Sequence, residues 1–172
     1  MTIALRPQRG GFLRAFGCGW FIREFLLGKG PFGAPLIDSA RGAPQADIFF
    51  HYKTALIRTT AEDKAVRTEE KLACREGRSI NPDNIQALAE KYITHSPYKA
   101  HGCRYHSFVT YFSMLQKLGW VEPTGEEEKS EFQEHYSAGQ PRRYFRLTAA
   151  GKAAGEVAWS NPHAFLYRPE LG

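Results

Sequence analysis

Residues 104–121 read RYHSFVTYFSMLQKLGWV, and this stretch limits what the chain can fold into more than any other. Phe108, Phe112 and Leu115 recur at helical spacing with Leu118 beside them, Gly119 follows, and Trp120 and Val121 continue as a strand would. A helix that halts at glycine has reversed its chain at the C-cap, so the residues beyond it must pair with something. The partner comes after a polar loop: RRYFRLT at 142–148 alternates faces at Tyr144 and Phe145, and AAGKAAGEVAW then opens a last helix with Thr148 as its N-cap. Helix, strand, loop, strand and helix in that order define a mainly α chain with a small β hairpin, of the α+β class.

Upstream, the apolar spacing predicts two further helices. One starts at Asp47 as N-cap, with Phe49, Tyr52 and Leu56 three and four residues apart. It either runs on to Glu76 or restarts at Thr60, where TAED has the form of a capping box. Its second part alternates in charge, with Asp63 and Arg67 four apart, the pattern of a solvated face that could also pair subunits. The other helix begins with Asn81 as N-cap and Pro82 at its first position, carries Ile85, Leu88, Ala89 and Tyr92 on one face, and ends near His95, before Pro97. The apolar face of the helix at 104–118 is expected to bury against these two.

Residues 1–46 are rich in glycine, proline and aromatics, which predicts an irregular arm with a short helix around Trp20–Leu27. Aromatics in such number are costly to leave in water, so the arm should dock on its own domain or on a second copy of the chain. It lacks the uninterrupted apolar run of a secretory signal and is read as part of the working protein. The longest apolar run, WFIREFLL, is short for a membrane span and contains Arg23 and Glu24. Three widely spaced cysteines, Cys18, Cys74 and Cys103, do not form the framework of a secreted disulfide-bonded protein, and a reduced, cytoplasmic setting is expected.

The chain has a formal net charge of +5 and a pI near 9.2, distributed unevenly. Residues 122–135 hold one basic and six acidic groups, whereas every other part carries a positive excess. Basic segments around one acidic loop fit a partner bearing phosphates. A helix with small polar and basic residues on its outer face, preceded by another helix across a short turn, has the physical form of a groove-reading element.

The run FSMLQKLGWVEPTG followed by RRYFRLTAAGKAA resembles the recognition helix, wing hairpin and final helix of winged helix-turn-helix proteins, in particular PadR-like and MarR-like transcriptional regulators. The resemblance covers residues 47–158, leaving 1–46 as an N-terminal arm and 159–172 as a C-terminal tail. It implies a homodimer that binds double-stranded DNA, associated with the nucleoid in the cytoplasm. It also implies that Arg104, Tyr105, His106, Ser107, Thr110, Ser113 and Lys117 lie toward the major groove, with Arg142, Arg143 and Arg146 on phosphate or in the minor groove at the base of the wing. The wing loop GEEEKSEFQEH departs from this pattern, because carboxylates repel a phosphate backbone. Either its tip swings away from DNA or the wing meets a basic protein surface, which would make the chain a protein–protein adaptor. An RNA partner is a third possibility that charge alone does not exclude.

His95, His101, Cys103 and His106 crowd into HSPYKAHGCRYH without the spacing of a zinc site, so no metal is expected: exposed linker histidines are the default reading, and His106, at the start of the helix, could contact a phosphate without one. The sequence contains no glycine-rich phosphate loop of standard spacing and no nucleophile elbow, so neither an enzyme nor a resident cofactor is expected.

Overall fold

Helix α1, Cys18–Leu26, lies at the centre of the computed structural model, which describes residues 17–100, 102–128 and 141–167. Its side chains Cys18, Phe21, Ile22, Phe25 and Leu26 are each at most 1% exposed. The expected short helix therefore exists, but it is a core element rather than part of an irregular covering. CGWFIREFL repeats its apolar residues at three and four, and the flanking glycines break the helix only beyond its ends. Residues 1–16 lie outside the described residues.

After a 3-10 turn at Pro31–Gly33, strand β1 at Ala43–Pro44 leads into α2, Gln45–Glu76. This is one continuous helix; the restart at Thr60 does not occur. Asp47 sits in its first turn instead of capping it, and Pro44 holds the N-cap position. The N-terminal half buries Ile48, Phe49, Tyr52, Ala55 and Leu56, while the second half packs against α3, Pro82–Thr94. Asn81 caps α3 as expected, accepting from the Asp83 N–H at 3.0 Å. Of the predicted apolar face of α3, only Ala89 is fully buried, and the Tyr92 hydroxyl lies 3.1 Å from that of Thr68 on α2.

The connection between α2 and α3 is tied by Glu69, which has no exposed surface. One of its carboxylate oxygens receives the Arg78 guanidinium, the Asn81 N–H at 3.3 Å and the Asn84 amide at 3.4 Å. The Arg78 bond, aided by these other donors, holds the Glu69 carboxyl below its ordinary pKa despite burial.

A 3-10 turn at Tyr98–Ala100 precedes α4, Tyr105–Lys117, and then come β2, Val121–Glu128, and β3, Arg142–Leu147. The predicted hairpin is joined by β1 in an antiparallel sheet of order β1-β3-β2. Its two edge strands contain Pro44 and Pro123, and its central strand contains no proline, which follows from the missing N–H of that residue. At Gly42, φ is +75° and an added Cβ would meet the Phe145 carbonyl at 1.8 Å, so only glycine lets β1 approach β3 here.

Beyond β3 the single helix expected at 149–159 is broken at Gly155 into α5, Ala149–Ala153, and α6, Glu156–Ser160, followed by α7, Pro162–Tyr167. Thr148 is the N-cap of α5, accepting from the Gly151 N–H at 3.0 Å. Trp159, where the expected helix meets the expected tail, has no exposed surface, and its ring centroid lies 4.8 Å from that of Trp120. Its indole N–H donates to the Gly151 carbonyl at 3.0 Å. Ring contacts hold the rest of the core: Phe21 to Tyr52 at 5.4 Å, Phe49 to Phe108 at 5.3 Å and Phe112 to Phe145 at 5.1 Å. The chain is thus mainly helical around a small antiparallel sheet, and no helix among the described residues is long and apolar enough to cross a membrane.

Candidate nucleic-acid interface

Helix α4 separates its residues cleanly by face. Phe108, Phe112 and Leu115 have no exposed surface, and their ring partners lie on α2 and β3. Among these contacts none is to α3, so the helix expected to share this core instead pairs with the far half of α2. The opposite row of α4, at spacings of four, three and four, is His106, Thr110, Ser113 and Lys117; Ser113 is half-buried and the others are exposed. The Thr110 hydroxyl donates back to the His106 carbonyl at 3.2 Å. Arg104, at the N-cap, and Ser107, in the first turn, are exposed as well.

Tyr105 departs from the expected groove-facing set. Its ring packs edge-on against Phe49 at 5.2 Å and is half-buried. The reason is its position: residue 105 stands three before 108 and seven before 112, on the buried side of the helix.

The helix ends in a Schellman motif. With φ at +74°, Gly119 donates its N–H to the Gln116 carbonyl, and the Trp120 N–H reaches the Leu115 carbonyl at 3.1 Å. The Thr148 N–H then donates to the Trp120 carbonyl at 3.0 Å and its hydroxyl to that of Gly119 at 2.5 Å. The end of α4 and the end of the hairpin are therefore fixed to each other through the N–H and hydroxyl of Thr148, so the outer row of α4 keeps a set orientation relative to β3.

The three hairpin arginines are placed differently from the expectation of three phosphate clamps. In the β2–β3 register Arg146 stands opposite Glu122, Arg143 opposite Glu127 and Arg142 opposite Glu128. The Arg146 guanidinium donates to Glu122 at 3.1 Å, and Arg142 turns to the carboxylate of Asp47 in the first turn of α2. Arg143 alone of the three is exposed and makes no ion pair among the described residues. A further network covers the same end of the sheet. Arg41 donates to Glu126 at 2.9 Å and lies 4.7 Å over the Tyr144 ring, whose hydroxyl donates to Glu128 at 2.7 Å. That bond to Glu128, with burial, raises the Tyr144 pKa. Residues 129–140, which hold the rest of the expected acidic loop, lie outside the described residues.

No family model, curated protein or solved structure matches this chain.

Geometry and chemistry therefore carry the description of the site. It offers a helical row with an exposed imidazole, hydroxyl and ammonium and a half-buried second hydroxyl, a guanidinium at the helix start, and one exposed guanidinium on the adjoining strand. Hydroxyls and imidazole can donate or accept, and the cations can only donate or attract, which is the set needed to contact phosphate oxygens and the acceptors on base edges. Of the crowded residues at 95–106, Cys103 is buried, and the His95 ring bonds the Lys91 carbonyl at 2.7 Å. His101 lies outside the described residues, and among the described residues no three His, Cys, Asp or Glu side chains come together as metal ligands.

Sequence reasoning missed the neutralising partners of the arginines. A signal existed for part of them, since four glutamates on β2 face three arginines on β3, but a Pro123–Glu127 irregularity hid the register. Asp47 and Arg41 arrive from distant parts of the chain through the two-residue strand β1, whose proline offers no alternation to read.

Proposed function

We propose that this chain is a winged helix-turn-helix protein that binds double-stranded DNA and acts as a dimeric transcriptional regulator associated with the nucleoid. The observation that carries this reading is the outer row of α4. It presents His106, Thr110 and Lys117 to solvent, with Arg104 and Ser107 at its start, while the inner row is locked in the core. A rigid helix with this face, followed at once by an antiparallel hairpin, suits insertion into a major groove with the hairpin alongside the backbone. Phosphate attraction comes from Arg104, Lys117 and Arg143, which form no ion pair among the described residues, and sequence choice from Ser107, Thr110 and His106.

A second reading, an adaptor that uses the same domain to assemble with proteins, is favoured by one specific feature. The arginines that would anchor a wing are largely engaged with Glu122 and Asp47, leaving β2 with an acidic exposed edge at Glu126–Glu128.

Fluorescence anisotropy of a mixed-sequence duplex titrated with the chain separates the two. The DNA reading expects saturable binding at about 50 mM salt that weakens steeply as salt rises, and loss of that binding in the Arg104→Ala, Lys117→Ala double variant. A folded wild-type chain that leaves the duplex free at this salt concentration would defeat it and turn attention to protein partners of the acidic edge.

A further inference from the structure

The C-terminal helices leave a concavity that the DNA reading does not use. It is an open groove of about 800 Å³ between the end of α4 and the α5–α6–α7 turns. Its walls include Leu118, Trp120, Ala154, Phe165 and Leu166. It exists because α5 is drawn close at one point: Gly151 sits where an added Cβ would meet the Trp120 carbonyl at 2.1 Å. Beyond that contact the facing positions 150, 153, 154 and 158 are all alanine, whose methyl groups are too short to fill the space between the short helices. Phe165 reaches Trp120 from α7 at 5.8 Å and closes one side.

Volume and lining are those of a small-molecule site rather than a packing defect. Ligand pockets occupy roughly 300–1,000 Å³ and combine apolar walls with a few polar groups that orient the occupant. Among the residues lining this groove, Lys117 is the one with a charged side chain. Its ammonium is exposed and forms no ion pair among the described residues. Glu156 neighbours the lining residues Gly155 and Val157 in sequence, yet it is exposed and is not part of the wall. An apolar trough with a single unneutralised cation at its edge is complementary to a molecule with an apolar body and one negative head.

We propose that the groove between α4 and α5–α7 binds an apolar monocarboxylate, with the hydrocarbon body over Trp120, Phe165 and Leu166 and the carboxylate on Lys117. The binding stands independently of the DNA reading. Only its consequence rests on that reading: a carboxylate held by Lys117 removes one of the cations on the outer row of α4 and so weakens attraction to phosphate.

The test uses octanoate as probe and octanol as its neutral counterpart, with no DNA present, followed by calorimetry and by tryptophan emission, since Trp120 lines the site. Octanoate should saturate with a dissociation constant below about 1 mM. Lys117→Ala should weaken it roughly tenfold, the loss of one charge-assisted contact at an accessible rim. Ala153→Phe, on an exposed position of the α5 wall, should block it by filling the trough. Lys117 is exposed, so its variant remains readable even if Ala153→Phe fails to fold. Octanol binding as tightly as octanoate, no effect of Lys117→Ala, or no saturable signal at several millimolar octanoate would each overturn the assignment. Because the readout is the ligand itself, a chain that ignores DNA but binds octanoate leaves this inference standing, and the reverse result sinks it alone.

Discussion

Replacing Trp159 tests whether the last helices belong to the core, and the structure sets the size of the effect. The indole is fully buried, faces Trp120 at 4.8 Å and donates to the Gly151 carbonyl at 3.0 Å. The backbone carbonyl of the same residue lies against Gly19 of α1, where an added Cβ would meet it at 2.3 Å, so α6 is already in close contact with α1 and has little room to sink further and close the space. Trp159→Ala therefore leaves an unrelaxed cavity and should cost roughly 3–5 kcal/mol, the range for large aromatic truncations in cores. For a chain of this length each kcal/mol lowers the melting temperature by roughly 2–4 °C, so the fall should be roughly 6–20 °C.

Trp159→Phe gives the intermediate case. Phenylalanine keeps much of the ring contact but leaves the Gly151 carbonyl without its donor, which should cost about 1–3 kcal/mol. Urea unfolding followed by circular dichroism, with the midpoint and slope fitted for each variant, gives both values. A loss below about 1 kcal/mol in Trp159→Ala would refute the reasoning, because a buried indole with a paired N–H cannot be removed that cheaply. It would mean that α6 is peripheral to folding, as a tail would be.

Three further outcomes follow from other contacts. If Arg104, Lys117 and Arg143 each neutralise a phosphate, the log–log salt dependence of duplex binding should have a slope of about −2.7, a roughly forty-fold weakening between 50 and 200 mM salt. Arg143→Ala should lower that slope by about 0.9, whereas Arg146→Ala, whose side chain already serves Glu122, should leave it in place; equal effects would refute the pairing. The Glu69 carboxyl is held below its ordinary pKa of 4.5 chiefly by Arg78, so the unfolded chain takes up the proton first and the stability is complete above that value and lost as pH falls through the folded one. Urea midpoints between pH 6 and 3 should thus drop more for wild type than for Glu69→Gln, and parallel curves would refute the tie. Gly42→Ala should destabilise the fold and loosen β1 from β3, seen as faster amide hydrogen exchange at Phe145; an unchanged rate would contradict the close approach at this glycine.

What could be read from the sequence was whatever depends on near neighbours. The Gly119 turn, the Thr148 and Asn81 caps and the faces of α4 rest on groups a few residues apart, and each is present. The placement of α1 was not legible, because the glycine- and proline-rich surroundings of CGWFIREFL describe the breaks in the chain and carry no information about what lies between them. The same limit applied to Trp159, which follows a helix breaker and joins the core through Trp120 and Gly19, partners remote in sequence.

The candidate interface divides along the same line. The exposure of His106, Thr110 and Lys117 follows from helical period alone, and so does the inward turn of Tyr105, since the wheel places it with Phe108 and Phe112. The charge available at the hairpin depends on pairing instead. Residue counts treat Arg142, Arg143 and Arg146 as equivalent cations, yet strand register gives Arg146 to Glu122, the first turn of α2 gives Arg142 an aspartate, and Arg143 is the one of the three that is exposed without an ion pair among the described residues. An ion pair between strands leaves little net field at the distance of a phosphate, because attraction and repulsion nearly cancel over a few ångströms of water. In the proposed reading, phosphate attraction then falls mainly on α4, and the hairpin contributes through Arg143. That places Lys117 where the helix face and the C-terminal groove meet, so a single side chain connects the two proposed binding functions.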